Sequence, residues 1–184
     1  MLDIDKEIKK LVDEHSDLWK KKSYKKGEIL LKSDVVPTHN YFIETGILKV
    51  YTVDEERMET INHAFLCGGN PILSLNWTNI NIRTIYNIEV IKNANIYSIN
   101  ANNWNKITQE KPLINEIVSH DVNRMFEVLI KQRIINSKPD TTTRYKLTLK
   151  MYPFLTQIND DDVGSLLGVS ARSVRTAKVN QKNN

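Results

Sequence analysis

Residues 160–178 of the 184-residue chain, DDDVGSLLGVSARSVRTAK, carry its most informative pattern. Gly168 lies where a first helix is predicted to stop, because glycine adopts a left-handed backbone conformation without steric cost. Ser170 follows at a position from which its hydroxyl can cap a second helix. Gly164 is small where the two helices come closest. Apolar side chains form a seam between the helices: Val163, Leu166, Leu167, Val169, Val174 and Ala177. This pattern predicts a helix-turn-helix.

The second predicted helix displays basic and hydroxyl side chains and no acidic ones. Such a surface can enter a major groove of DNA, where first-turn residues lie near base edges. We expect Arg172 to bind a base edge and Lys178 to bind phosphate. Any helical hairpin that ends a domain can show a glycine turn and an apolar seam, but here several positions of a roughly 20-residue pattern are met together. The predicted DNA-binding residues are Ser170, Arg172, Ser173, Arg175, Thr176 and Lys178.

Positive charge is concentrated around this motif. The formal net charge is +4 at pH 7, and residues 137–184 account for all of it, with eight basic and four acidic side chains. The phosphates of DNA would attract such a segment. No apolar run approaches the roughly 20 residues of a membrane span, and no signal-peptide pattern opens the chain. We therefore expect a cytoplasmic protein with no membrane partner.

From Tyr24 onward, short runs rich in β-branched and aromatic residues alternate with turn residues such as Gly46 and Asn93–Asn95. Many short strands at near-regular spacing are typical of an antiparallel barrel or sandwich. An amphipathic helix is predicted before them, over residues 4–19, and the basic run Lys20–Lys22 is expected to be a solvated face. The predicted strands are 28–31, 41–44, 47–53, 59–65, 85–91 and 96–99.

Residues 112–135 predict a long helix that is apolar over more than half its girth. One face can pack on the chain's own strands, and a two-fold-related copy is the economical partner for the other. The alternative is a helix wholly buried within one monomer. Pro139 ends this helix and makes residues 137–140 a candidate hinge between domains. The residues expected at a homodimer interface are Ile114, Ile117, Val118, Met125, Val128 and Leu129.

These features follow one another in a recognisable order. YKKGEIL (24–30) is followed by YFIETGILKVY (41–51) and an acidic hairpin tip, then later by DTTTRY (140–145), YPFL (152–155) and the helix-turn-helix. Over roughly residues 20–178, this order resembles the Crp/Fnr family of transcription regulators.

The resemblance implies an α+β fold with three parts. They are an N-terminal helix and antiparallel, jelly-roll-like β-roll over 1–111, a long central dimerisation helix over 112–136, and a small helix-turn-helix domain over 137–184. The wing that often follows the recognition helix in this family is expected to be short or absent, with the chain frayed from Val179.

The family's cyclic-nucleotide site is not matched residue for residue. Gly69 and Asn70 stand where the family has a Gly-Glu pair, and an amide lacks the charge with which that Glu holds the ribose hydroxyls. The phosphate-binding Arg of the family would fall at Thr84, or at Arg83 if the register shifts by one. Segment 76–83 is also unlike the family's usual cassette. We expect cyclic AMP binding to have been lost, with Gly69, Asn70, Arg83 and Thr84 as candidate contacts for an unknown effector.

The function implied by the resemblance is sequence-specific transcription regulation. A homodimer would bind a near-palindromic operator in double-stranded DNA, and an activator would also contact RNA polymerase. The recognition helix departs from the family at Ala171, Arg172 and Thr176, so the operator sequence does not carry over. The alternative is a ligand-sensing β-roll protein whose degenerate helix-turn-helix mediates protein contacts.

An enzyme is not expected. The four histidines are scattered without metal-ligand spacing, and nucleophile motifs and phosphate-binding glycine loops are absent from the sequence. The single cysteine, Cys67, excludes an internal disulfide and a four-thiolate iron–sulfur cluster from one chain. A haem site using His63 or Cys67 is the remaining alternative, and we expect no cofactor and no metal.

Overall fold

The computed structural model describes residues 4–73, 82–111 and 113–182. Two compact units make up the fold: the first combines Met1–Lys49 with Leu66–Met125, and the second combines Val50–Phe65 with Phe126–Asn184. The elements are α1 (Ile4–Glu14), β1 (Lys20–Tyr24), β2 (Ile29–Leu31), β3 (His39–Asp54), β4 (Glu59–Cys67), β5 (Pro71–Ile72), β6 (Asn87–Asn100), α2 (Ala101–Glu110), α3 (Leu113–Asn136), α4 (Thr141–Met151), a 3-10 turn (Leu155–Gln157), α5 (Asp160–Leu167) and α6 (Ala171–Lys182).

The strands of the described residues form one sheet. Its main order is β1-β6-β3-β4, with β2 also paired to β6 and β5 to β3. The pairings of β1 and β2 with β6, and of β5 with β3, are antiparallel. The predicted class, an α+β protein with an antiparallel β-roll followed by a helix-turn-helix, is therefore confirmed.

Two long strands replace four predicted short ones. β3 runs through Gly46 and β6 runs through Asn93–Asn95, where turns were predicted. Gly46 has φ +110°, and a Cβ there would lie 2.4 Å from the Cβ of Ala94. The glycine therefore allows close approach between two neighbouring strands instead of ending one of them. β1 was not predicted, because its side chains are mostly exposed while its backbone pairs with β6.

The core of the first unit forms around Trp104, which is fully buried and meets Trp19 edge-to-face at 6.3 Å between ring centroids. α1 contributes its apolar stripe to this core, and the first turns of α3 contribute Ile114, Ile117 and Val118. These three residues are at most 3% exposed in a single chain. The chain's own core therefore already covers all three and leaves them little surface for a second copy, and their assignment to a homodimer interface stays a prediction.

The second unit joins the C-terminal helices to the outer part of the β3–β4 hairpin. Its buried residues include Tyr145, Leu155 and Val174. The Phe65 ring packs edge-to-face on Tyr152 at 5.7 Å between ring centroids. This division differs from the predicted boundaries after residues 111 and 136, because hairpin residues distant in sequence pack with the C-terminal helices.

α3 ends at Asn136, as Pro139 predicted, and the segment that follows lies inside the second unit. The amide of Lys138 donates to the Ile135 carbonyl at 3.0 Å, and the Arg144 guanidinium donates to the Lys138 carbonyl at 2.6 Å. The predicted hinge, residues 137–140, therefore lies within the second unit and is held there by hydrogen bonds. At the other end of this unit α6 continues to Lys182, beyond the point where fraying was predicted. None of the described helices is both long and apolar enough to span a bilayer.

Candidate nucleic-acid interface

The turn between α5 and α6 has the geometry that its sequence predicts. Gly168 has φ +67°, in the left-handed region, and the Ser170 hydroxyl accepts a hydrogen bond from the Ser173 amide at 3.2 Å. A Cβ on Gly164 would lie 2.6 Å from the Val169 carbonyl oxygen. Gly164 is therefore needed to let the turn fold back over α5, and the predicted helix-turn-helix is present.

The start of α5 carries a reciprocal cap that sequence reasoning missed. The Asn159 side chain accepts from the Asp162 amide at 2.7 Å and donates to the Asp162 carboxylate at 2.7 Å. Asp160 and Asp161 complete an acidic first turn. Their negative charges are stabilised there, because the amino end of a helix is the positive end of its dipole. An Asn three residues before an Asp resembles a capping box and was the available signal.

Side chains from two other helices bind the carboxyl end of α5. The Asn136 amide at the end of α3 donates to the Leu166 carbonyl at 2.8 Å, and the Arg144 guanidinium of α4 donates to the Leu167 carbonyl at 3.1 Å. The last carbonyls of a helix have no partner within it, so these bonds stabilise the helix end. Arg144 thus binds protein backbone, although its charge counted toward the basic segment. No sequence periodicity relates these pairs.

The entry to α4 is capped as well. Asp140 accepts from the Thr143 amide at 2.6 Å, and the Thr143 hydroxyl and amide together lower the pKa of the Asp140 carboxyl. Tyr145, one turn later, is buried. The DTTTRY segment (140–145) therefore begins α4 with a charged cap and a buried aromatic residue.

The rotation of α6 about its axis is set by Val174 and Ala177, which are buried. Arg172, Arg175 and Thr176 are consequently exposed on the opposite side. The Thr176 hydroxyl donates to the Arg172 carbonyl at 3.2 Å, within the helix. The structure thus presents two guanidinium groups from one exposed surface of a capped helix, an arrangement that suits bidentate recognition of bases or phosphates.

Lys178 does not share this surface. Its ammonium lies 2.5 Å from the Asp160 carboxylate and 6.0 Å from the centre of the Tyr145 ring. Its side chain is 28% exposed. The ion pair links α6 to the first turn of α5, and it engages the ammonium that was expected to bind phosphate. The structure thus favours a structural role for Lys178, while its phosphate contact stays a prediction.

The four candidate ligand residues belong to turns of the first unit. The Asn70 side chain accepts from the Cys67 amide at 3.0 Å, and the Gly69 amide donates to the Ile43 carbonyl at 2.8 Å. These bonds stabilise the turn after β4. The Asn70 side chain therefore folds onto its own backbone.

Arg83 and Thr84 are also bound within the protein. The Thr84 hydroxyl donates to the Lys32 carbonyl at 2.8 Å, and the Arg83 guanidinium donates to the Asp34 carbonyl at 2.6 Å. Arg83 also lies 3.3 Å from the Asp34 carboxylate. Residues 76–81 of the departing cassette lie outside the described part of the chain, so that prediction stays a prediction.

Arg83 and Thr84 border a cavity of about 250 Å³ in the first unit. Most of its lining is apolar or aromatic, including Leu31, Tyr41, Ile72, Ile82, Ile85 and Tyr86. Burial raises the pKa values of both Tyr41 and Tyr86, so their phenols are neutral at physiological pH. Gly69 and Asn70 are not among its lining residues, and the cavity does not unite the four candidates.

The two side chains considered for haem lie in different settings. The His63 imidazole is 2.8 Å from the Thr52 hydroxyl across the β3–β4 hairpin, and burial lowers its pKa. Cys67 is half-buried at the end of β4. Within the described ranges, no group of three His, Cys, Asp or Glu side chains is arranged to hold a metal ion.

Comparisons with known proteins find relatives by structure but not by sequence. The sequence matches no family model and no curated protein. Solved structures do match. FixK2 from Bradyrhizobium japonicum aligns with a TM-score of 0.77 at 14% identity, over 90% of this chain and 85% of FixK2. The c-di-GMP-responsive global regulator CLP of Xanthomonas campestris aligns with a TM-score of 0.75 at 10% identity, over 95% of this chain and 92% of CLP.

A third structure carries the family name. It is a protein from Eubacterium rectale assigned to the Crp/Fnr family of transcriptional regulators, with a TM-score of 0.71 at 18% identity, over 94% of this chain and 82% of that one. Each alignment includes at least 90% of the present chain, so the likeness extends over both the β-roll and the helix-turn-helix. This protein has the fold of the Crp/Fnr transcription regulators.

Proposed function

We propose that the protein is a sequence-specific DNA-binding transcription regulator that acts as a homodimer. The observation that carries this proposal is the exposed surface of α6. Arg172, Arg175 and Thr176 are presented there by a helix whose rotation is set by two buried side chains. A recognition helix needs such fixed presentation, because base edges are read through side chains in defined positions.

The surroundings of α6 support this role. α5 is capped at its start by Asn159 and at its end by Asn136 and Arg144, so the helix that supports α6 is bound at both ends. The acidic first turn of α5 is partly neutralised by Lys178, which reduces its repulsion of phosphates. Arg172 lies two residues after the Ser170 cap, in the first turn of α6, and is the residue we assign to base recognition.

The outer surface of α3 supports homodimerisation. Phe126 is 63% exposed, and Leu129, Ile130 and Ile134 are between 45% and 53% exposed. Residues spaced by three, four and eight lie on one side of a helix, so these form a contiguous apolar stripe. Monomeric proteins rarely leave such stripes open. Of the predicted interface residues, Leu129 lies on this stripe, whereas Met125 and Val128 are half-buried.

The contacts of Asn70 and Thr84 support loss of cyclic AMP binding. Both side chains already form hydrogen bonds with backbone groups, and the Arg83 guanidinium is paired with the Asp34 carboxylate. A cyclic nucleotide would need these bonds to be exchanged for new ones, which costs free energy for each polar group left unpaired. An uncharged, largely apolar effector matches the lining of the cavity better.

Selection from random duplex DNA, followed by a salt titration of affinity, tests the proposal. We expect enrichment of a near-palindromic site whose half-sites are about one helical turn apart, and an affinity that falls steeply with salt. Failure to enrich any sequence, together with salt-independent binding or none, would instead support a helix-turn-helix used for protein contacts.

A further inference from the structure

β4 lies at the end of the main strand order, so one of its edges has no strand partner in the described sheet. Ser165 of α5 meets that edge. Its hydroxyl accepts from the Asn62 amide at 2.9 Å and donates to the Thr60 carbonyl at 2.6 Å. Residues 60 and 62 face the same edge of a strand, so this one hydroxyl satisfies a donor and an acceptor that a further strand would have bound.

The Asn62 side chain adds a second set of bonds. Its amide nitrogen donates to the main-chain carbonyl of Asp162 at 2.9 Å and to the Asp162 carboxylate at 3.2 Å. Asn62 is 3% exposed and Asp162 is 9% exposed. Hydrogen bonds sheltered from water are stronger, and breaking one leaves a buried polar group unpaired. This contact is therefore costly to open.

An aromatic contact completes the arrangement. Phe65, at the end of the hairpin segment, packs against Tyr152, which in turn packs edge-to-face on Phe154 at 5.8 Å. We call the whole set the hairpin clasp: Thr60, Asn62 and Phe65 on the hairpin, with Tyr152, Asp162 and Ser165 on the helical side. All six residues belong to the second compact unit.

We propose that the hairpin clasp positions the recognition helix for DNA, which makes Asn62 and Ser165 positioning residues although neither lies on α6. This inference rests on the proposed DNA-binding function. The clasp binds α5 and leaves Arg172, Arg175 and Thr176 exposed, so it orients the recognition surface without covering it. A loosened clasp would leave the binding-competent orientation populated only part of the time, and the apparent affinity would fall by that fraction.

Asn62→Asp is the main test. It removes the two hydrogen bonds that the Asn62 side chain donates and places a carboxylate beside the Asp162 carboxylate. Asn102→Asp, at an exposed position of α2, adds the same charge elsewhere and is the matched control. Combining Asn62→Asp with Asp162→Asn restores a donor and an acceptor across the contact and is the rescue variant. Ser165→Ala, with exposed Ser16→Ala as its control, removes the edge bonds without adding charge.

Two measurements are needed on the full chain. Hydrogen exchange of the 59–65 segment reports on the clasp without DNA, and operator affinity reports on positioning. We expect Asn62→Asp to speed exchange and to weaken operator binding, each by about tenfold to a hundredfold, because each unpaired buried group costs about 1–3 kcal/mol. The rescue variant should recover most of both losses, and circular dichroism should show that every variant retains its helices.

Two results would overturn the proposal. One is exchange in Asn62→Asp and Ser165→Ala that is as slow as in their controls. The other is faster exchange with unchanged operator affinity, which would show that the clasp does not position α6. A wild type that enriches no operator would defeat the proposed function and the positioning role together, whereas exchange would still show whether the clasp holds.

Discussion

Gly164 and Gly168 lie four residues apart at the end of α5, and the structure requires each for a different reason. At Gly168 the backbone is left-handed, but a Cβ would meet nothing within 4 Å. At Gly164 a Cβ would lie 2.6 Å from the Val169 carbonyl oxygen and 3.3 Å from the Ala171 nitrogen. Gly168 is required by its own left-handed backbone conformation, whereas Gly164 is required because the turn packs too closely on it to leave room for a Cβ.

Alanine substitutions at these two positions should therefore differ in cost. We expect Gly168→Ala to lower the free energy of unfolding by about 1 kcal/mol, the penalty for a left-handed residue with a Cβ. Gly164→Ala should lower it by about 3 kcal/mol, because backbone atoms must move apart. Urea unfolding followed by circular dichroism measures both. Equal costs, or the reverse order, would contradict the close approach seen at Gly164.

Arg172 and Lys178 lie on the same helix and should behave differently when removed. We expect Arg172→Ala to weaken operator binding by about 1–3 kcal/mol and to relax specificity at one base pair. Lys178→Ala should lower the free energy of unfolding by about 1 kcal/mol, since it breaks the partly buried pair with Asp160, and should leave the salt dependence of DNA binding unchanged. A salt slope flattened by about one unit in Lys178→Ala would show a phosphate contact after all.

Among the secondary-structure elements, α3 is buried at its start and exposed further along. Its first turns are buried among α1 and Trp104, while Phe126 and Leu129 further along are exposed. Apolar residues are spread over more than half of the girth of the helix, so its sequence pattern does not show which of them the chain itself covers. Only the packing of the first unit separates the two sets.

Glutamate substitutions along α3 test this separation. Phe126→Glu with Leu129→Glu should give folded monomers by sedimentation, because the two charges would be buried unpaired in a dimer interface. Glu127→Gln with Lys131→Gln, which removes an exposed ion pair of 2.9 Å on the same helix, should leave the dimer intact. Ile117→Glu should instead unfold the first unit, since Ile117 is fully buried. A dimer that survives Phe126→Glu with Leu129→Glu would place the interface elsewhere.

At the scale of the whole molecule, the β-roll keeps the shape of its structural neighbours while its candidate ligand residues bind protein groups. Titration calorimetry with cyclic AMP should therefore detect no binding at micromolar concentrations. Asn70 offers no charge and is bound to Cys67, and Thr84 is bound to Lys32. Micromolar binding would mean that another residue, Arg83 foremost, had exchanged its Asp34 partner for the phosphate. Arg83→Ala would then abolish that binding.

The sequence alone determined the features that depend on near neighbours. Gly168 and Ser170 specify the turn, Pro139 ends α3, and the β-branched runs specify strands, because backbone conformation and capping involve residues within about four positions. The order of these elements was sufficient to predict the fold class and its resemblance to the Crp/Fnr regulators.

Which distant groups meet depends on how the helices and strands pack together. Asn62 binds Asp162 across 100 residues, Asn136 binds Leu166 across 30, and Arg144 binds Leu167 across 23. The same folding places the Lys178 ammonium beside Asp160, away from the exposed side of α6 that we propose contacts DNA. A polar side chain on a helix surface shows no periodicity that distinguishes a DNA contact from a protein contact. Its role is set by which donor or acceptor the packed apolar cores bring within hydrogen-bonding distance of it.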